Sequence, residues 1–132
     1  MPDTTKIDDT QVKLYALLVD QHQKHATIIW QFPTALLAAN AFALDKFQAH
    51  PWMLLVVAAI DGVLTYAHHR VVIQLRAISR ATKLSEALLS QNGYEVFIPK
   101  FSSAKVSGAL LIVYMLWIVT ISLGLYSIIT IL

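Results

Sequence analysis

From Val106 to Leu132 the chain runs for 27 residues without a charged side chain. A helix needs ~20 apolar residues to cross ~30 Å of hydrocarbon. A run of this length therefore predicts a membrane span, tilted or carrying an extra interfacial turn. Two weaker blocks precede it. Ala26–Leu44 has 19 residues and no charge, but includes Gln31, Pro33 and Asn40. Trp52–Ala67 has 16 residues and holds Asp61. Alone, it would fit a buried helix of a soluble protein; its neighbours and its helical continuation argue for a span. The rival arrangement is a re-entrant pair built from the first two blocks.

Composition points the same way. The chain is 57% hydrophobic and 14% charged, where a soluble domain carries about a quarter charged residues. Its mean hydropathy is +0.60. The expected fold is an all-α integral membrane bundle, one domain over 1–132. It has spans at about 26–44, 52–68 and 106–132, an N-terminal amphipathic helix, and a long cytoplasmic extension of the second span over about 69–92.

Orientation follows from basic residues in short loops. Arg70, Arg76, Arg80, Lys83, Lys100 and Lys105 lie between the second and third blocks, and only Lys46 between the first and second. This places the N-terminus and 69–105 in the cytoplasm of what reads as a bacterial inner-membrane protein, with the C-terminus outside. Trp30 and Trp52 suit inner and outer interfacial anchors. Trp117 lies too deep for that, so it faces lipid or packs between helices. The start, Met1–Gln11, is polar and does not resemble a secretory signal.

Thr10–His25 reads as an amphipathic helix with Leu14, Leu17 and Leu18 on one face, turning into the first span. Pro33 cannot donate to the carbonyl four residues back, so a kink is expected there. No Gly or Pro interrupts Val63–Gln91, so the second span should continue into the cytoplasm until Asn92-Gly93 stops it. Beyond the membrane, Val71, Leu75, Ile78, Thr82, Ser85 and Leu89 mark a mostly apolar face. That face needs a partner: the N-terminal helix, copies of itself or another protein. Tyr94–Lys100 reads as a short extended piece.

Asp61 is the most informative residue. An ionisable group inside a span costs ~2.5–3.5 kcal/mol on insertion scales and so faces a bundle interior or water. Thr65, His68 and His69 follow on the same side of the helix, and Asn40 lies at comparable depth in the first block. The functional reading is a pore lining or a proton or ion relay. The plainer one is a helix-to-helix hydrogen bond. Small residues mark contact faces: Ala35, Ala39 and Ala43, then Ala58 and Gly62, then Thr120, Gly124 and Ser127. They serve packing within the chain or between copies. Arg70, Arg76, Arg80 and Lys83 form a basic cytoplasmic surface, suited to anionic lipid, an acidic partner or simple solvation.

Other functions find little support. With no cysteine, disulfides and thiolate chemistry are excluded. A net charge of +2 does not argue for nucleic acid. No GxGxxG, P-loop, GxSxG or HExxH motif occurs, and no catalytic residue is assigned. His22, His25, His68 and His69 gather near the inner boundary but lack carboxylates at ligand spacing, so neither a metal nor another cofactor is expected.

The layout over residues 26–91, closely spaced spans joined to a long cytoplasmic helix, loosely resembles the SLATT-like membrane effectors of bacterial defence systems. Those have two spans, and this chain has a third at Val106–Leu132. The resemblance implies an oligomer that permeabilises the membrane when triggered, and it carries over no functional residue. The leading expectation is a homo-oligomer that forms or gates an ion-permeable pore near Asp61 and Asn40. The alternative is a membrane anchor or small subunit that recruits a cytoplasmic partner through the extension helix.

Overall fold

The computed structural model describes residues 9–93 and 103–132, with side chains of the last helix from Gly108 onward. The expected extended piece at Tyr94–Lys100 lies outside the described residues. The described chain forms three helices, α1 (Asp9–Phe47), α2 (Pro51–Gln91) and α3 (Ser103–Ile131). All three are long and apolar enough to cross a membrane. At 1.5 Å per residue, α1 and α2 are each about 60 Å long. The expected N-terminal helix and first span are thus one helix of 39 residues, with Pro33 inside it. Nothing turns the chain between Thr10–His25 and the first apolar block.

The α1–α2 connection is tight. At the α1–α2 turn, His50 N–H donates to the Phe47 carbonyl and Met53 N–H to that of His50. Pro51 opens α2, where its missing N–H costs nothing. At the far end Asn92 Nδ2 donates to the Leu88 carbonyl at 2.8 Å. Gly93 then takes φ 79°, the left-handed value that glycine adopts without strain. The expected stop at Asn92-Gly93 is where α2 ends.

One rule positions nearly every buried side chain. In α2 the buried residues are Leu54, Ala58, Asp61, Thr65, His68, Val72, Leu75, Ser79, Thr82 and Leu89. They step by four and three in alternation, missing only Glu86. In α1 Tyr15, Val19, His22, Ile29, Pro33, Leu36, Asn40 and Ala43 do the same, missing one step at Ala26. In α3 the set is Ala109, Val113, Leu116, Thr120, Leu123 and Ser127. A seven-residue repeat of this kind is the signature of left-handed helix packing. Antiparallel pairing then stacks the residues in layers.

α2 is the central element. It packs closely against both α1 and α3, whereas α1 and α3 touch far less. Where these two meet, the Trp30 ring lies 3.8 Å from the Cβ position of Gly108. Ile29, Val72, Leu75, Ala109 and Val113 form one core cluster, with Trp117 packed against it. Trp117 therefore sits between helices. A second cluster, Leu54, Ala58 and Leu123 with Phe47, closes the turn end.

Among the described residues, α1 and α2 continue together beyond the start of α3 as a two-helix stalk. Its seam contains Tyr15, Val19, Ser79, Thr82 and Leu89. The N-terminal part of α1 is thus the partner that covers the apolar face of the α2 extension. Burial, and then the negative charge of Glu86, holds the Tyr15 phenol above its ordinary range. By the repeat, exposed Leu14 and Leu88 fall on one flank of the stalk, and Arg76 and Lys83 on the other.

Candidate functional site

The bundle is inside-out in polarity. Its surface over the apolar blocks carries Val56, Ile60, Val63, Leu111, Met115, Ile118, Ile121 and Ile129, all exposed. Its interior there holds Asp61, Thr65, His68, Asn40, Thr120 and Ser127. Water would favour the reverse, and hydrocarbon tolerates this arrangement because buried polar groups can bond to one another.

The middle layer is polar on all three helices. Asp61, 2% exposed, receives two hydrogen bonds on one oxygen. Asn40 Nδ2 donates to Oδ2 at 3.0 Å, and Thr120 Oγ1 donates to the same atom at 2.5 Å. One turn along α2, Thr65 Oγ1 lies 3.5 Å from Thr120 Oγ1. Two turns along, His68 is 3% exposed. Its ring stacks on Phe32 with centroids 5.0 Å apart and planes at 16°. Two buried atoms of this row, Asp61 Oδ1 and His68 Nε2, have no hydrogen-bond partner among the described residues. Orphaned buried polar atoms cost about 1–3 kcal/mol each, so their presence calls for a role or a bound water.

The structure brings Asp61, Asn40, Thr65 and His68 together, as the sequence pattern suggests. His69 is half-buried and lies off the row. Thr120 is the member that sequence reasoning mistyped, as a small packing residue only. The signal was available: alternating steps of four and three place Asn40, Asp61 and Thr120 on the buried seam of each helix.

The small residues divide into two sets. Ala58 Cβ lies 3.8 Å from the Cβ position of Gly124, and Thr120 Cγ2 lies 3.7 Å from that of Gly62. These bring α2 and α3 close within one chain. Ala43 is buried, but Ala35 and Ala39 are exposed on α1. Arg70, Arg76, Arg80 and Lys83 are all exposed. Among the histidines, His22 is buried in the stalk, and His25 Nδ1 donates to the Gln21 carbonyl at 2.7 Å. Among the described residues no cluster of three or more histidine or carboxylate side chains is placed to hold a metal ion.

Grooves flank the polar layer. One of about 380 Å³ lies between α1 and α3, lined by Asn40, Leu44, Ser122 and Tyr126 among others. A shallower one of about 210 Å³ lies between α1 and α2, beside Asp61, Ala39 and Ile60. Asn40 borders both.

No protein-family model matches the chain, and no curated protein or solved structure is significantly similar to it.

Proposed function

We propose that this chain is an integral protein of the bacterial inner membrane that assembles with copies of itself and forms or gates an ion-permeable path at the Asp61 layer. The stalk and N-terminus lie in the cytoplasm in this reading, and the C-terminus outside. The observation that carries it is the polar row Asn40–Asp61–Thr120–Thr65–His68, buried inside a bundle whose exterior is apolar. Intramembrane ionisable groups are costly and mark ion or proton pathways by default. The described conformation is a closed one. Buried Leu36 and Leu116 lie beside the layer, and hydrogen bonds from α1 and α3 both end on Asp61. Loosening either flanking helix from α2 removes one of the two bonds that hold the carboxyl group. The exposed Ala35–Ala39 ladder suits a neighbouring copy, because small residues let helices in lipid approach closely.

The test is ion flux in proteoliposomes. Asp61→Asn keeps the shape of the side chain and alters its charge and bonding. It should change the flux about tenfold, equivalent to about 1.4 kcal/mol in the barrier or the gate. Tight vesicles, together with a monomer in native-like membranes, would remove the proposal.

A second reading is favoured by the stalk. Leu84 is 66% exposed, and Leu14, Leu17 and Leu88 are also exposed, on an element that in this orientation stands in water. Such a surface fits an anchor or small subunit that recruits a cytoplasmic protein, with the basic flank steering an acidic partner. Charge reversal at Arg76, Arg80 and Lys83 should then abolish co-purification of that partner at unchanged helix content. Recovery of the same partner with the reversed variant would count against it.

A further inference from the structure

We propose that the permeant ion is the proton, and that it moves inside each protomer along the row His68–Thr65–Thr120–Asp61, not between protomers. This rests on the permeation reading above and deepens it. The argument begins with space. Thr65 is 0% exposed, and Asp61 and His68 are nearly as deeply buried. Leu116 and Val113 are buried in the adjacent positions of α3. A hydrated cation needs a water-filled lumen, and this seam is filled by side chains. A proton needs only groups that both accept and donate. Threonine hydroxyls, a neutral imidazole and a carboxyl group all do so.

The links are in place except one. Thr120 Oγ1 is 2.5 Å from Asp61 Oδ2 and 3.5 Å from Thr65 Oγ1. His68 follows Thr65 on the same buried seam, about 4.5 Å further along the helix axis, and the route places one bridging water between their side chains. His68 Nε2 is buried and unpartnered among the described residues, as a water ligand should be. A buried water needs two to four polar partners. Thr65 Oγ1 and His68 Nε2 supply two. Pro33, which falls in the His68 layer, supplies a third indirectly: lacking an N–H, it leaves the Ile29 carbonyl without its donor in the helix. At the other end Asp61 Oδ1 is also unpartnered among the described residues.

The transfer balances. His68 takes a proton on one ring nitrogen from the cytoplasmic side and gives one up from the other to the bridging water. That water passes one to Thr65, Thr65 to Thr120, and Thr120 to the Asp61 carboxylate. Each hydroxyl receives one proton and releases one. The Asp61 carboxyl group, protonated on Oδ2, then turns about its Cβ–Cγ bond and gives that proton to water entering the groove it lines with Asn40, Ala43 and Val57. The carboxylate and the two hydroxyls turn back, and one proton has crossed with no residue left altered. The imidazole resets by ring flip or tautomer exchange through water.

The experiment uses full-length protein in vesicles of phosphatidylethanolamine and phosphatidylglycerol. A potassium gradient with valinomycin sets the voltage, and a trapped pH dye reports protons. Wild type should move protons well above empty vesicles. Thr65→Val, nearly isosteric, should lower the rate at least tenfold, and Thr65→Ser should restore it. His68→Phe, which keeps the stack on Phe32, and Asp61→Asn should lower it comparably. Proton flux indifferent to Thr65→Val and His68→Phe in well-folded protein would overturn the route. Flux of potassium or chloride matching that of protons would overturn the proton assignment while leaving the permeation reading standing. Vesicles tight to all ions would overturn both.

Discussion

Removing both donors from Asp61, in an Asn40→Leu/Thr120→Val variant, should destabilise the bundle by about 2–3 kcal/mol. Hydrogen bonds inside membranes average only ~0.6 kcal/mol by double-mutant cycles, so two lost bonds alone would total about 1.2 kcal/mol. The larger loss is expected because Asp61 Oδ2 would join Oδ1 as a buried acceptor without a partner, at about 1–3 kcal/mol. Adding Asp61→Leu to the same variant should recover stability to within about 1 kcal/mol of wild type, since replacing a whole buried polar set with apolar groups is often neutral. Unfolding in mixed micelles, followed by tryptophan fluorescence, measures all three proteins. The asymmetry is the informative part. A triple variant that is stable but impermeable would mean the layer is kept for conduction and not for folding. A triple variant no more stable than the double would mean that packing, not hydrogen bonding, holds this layer together.

The second large effect concerns α2 and α3. The Cβ of Ala58 and the Cβ position of Gly124 are 3.8 Å apart, the mean separation across a disulfide. The natural chain has no cysteine, so a pair introduced as Ala58→Cys/Gly124→Cys can form only one intramolecular bond. It should oxidise nearly completely under mild copper-phenanthroline treatment, seen as a band shift that dithiothreitol reverses. Closing a loop of this length stabilises by roughly 4 kcal/mol in the chain-entropy view. The bridge lies one layer from Asp61. If the path opens by parting α2 from α3, the oxidised protein should lose gated flux and regain it on reduction. Failure of the two cysteines to bond would show that the α2–α3 register is wrong. Unchanged flux with the bridge formed would place any opening movement between α1 and α2.

Much of this fold was readable from residue pattern. The three apolar blocks, the unbroken α2 and its stop at Asn92-Gly93 follow from length, the absence of Gly and Pro within the helix, and the turn chemistry at its end. That Asn40 lies at a depth comparable to Asp61 follows from counting along both blocks from the turn between them; the hydrogen bond that joins them is seen only in the structure. Other parts were hidden for specific reasons. In Val106–Leu132 nearly every position is apolar, so hydropathy cannot say which face is inside, and Thr120 passed as a small residue. The amphipathic segment Thr10–His25 suggested a helix turning into the first span, yet α1 runs unbroken from Asp9 to Phe47, because no glycine or proline stands between the two segments to stop it. On the α2 extension Leu75, Thr82 and Leu89 were placed correctly. Val71, Ile78 and Ser85 were each one residue from the buried Val72 and Ser79 and the skipped Glu86. A polar seam of Ser79 and Thr82 flanked by outward leucines defeats any search that equates apolar with buried.

The unbroken α1 and α2 have a mechanical consequence. Tyr15 and Glu86 at the stalk tip sit 25 residues from Asn40 and Asp61 on the same two rods, about 38 Å away along the helix axis. Because α2 has neither Gly nor Pro from Val63 to Gln91, it has no joint at which a displacement could dissipate. In the proposed reading, a partner bound to the leucine flank would hold the long arm of a lever whose short arm is the carboxyl group of Asp61. A small twist applied at the Tyr15–Glu86 end would arrive at the Asp61 layer as a change of helix register.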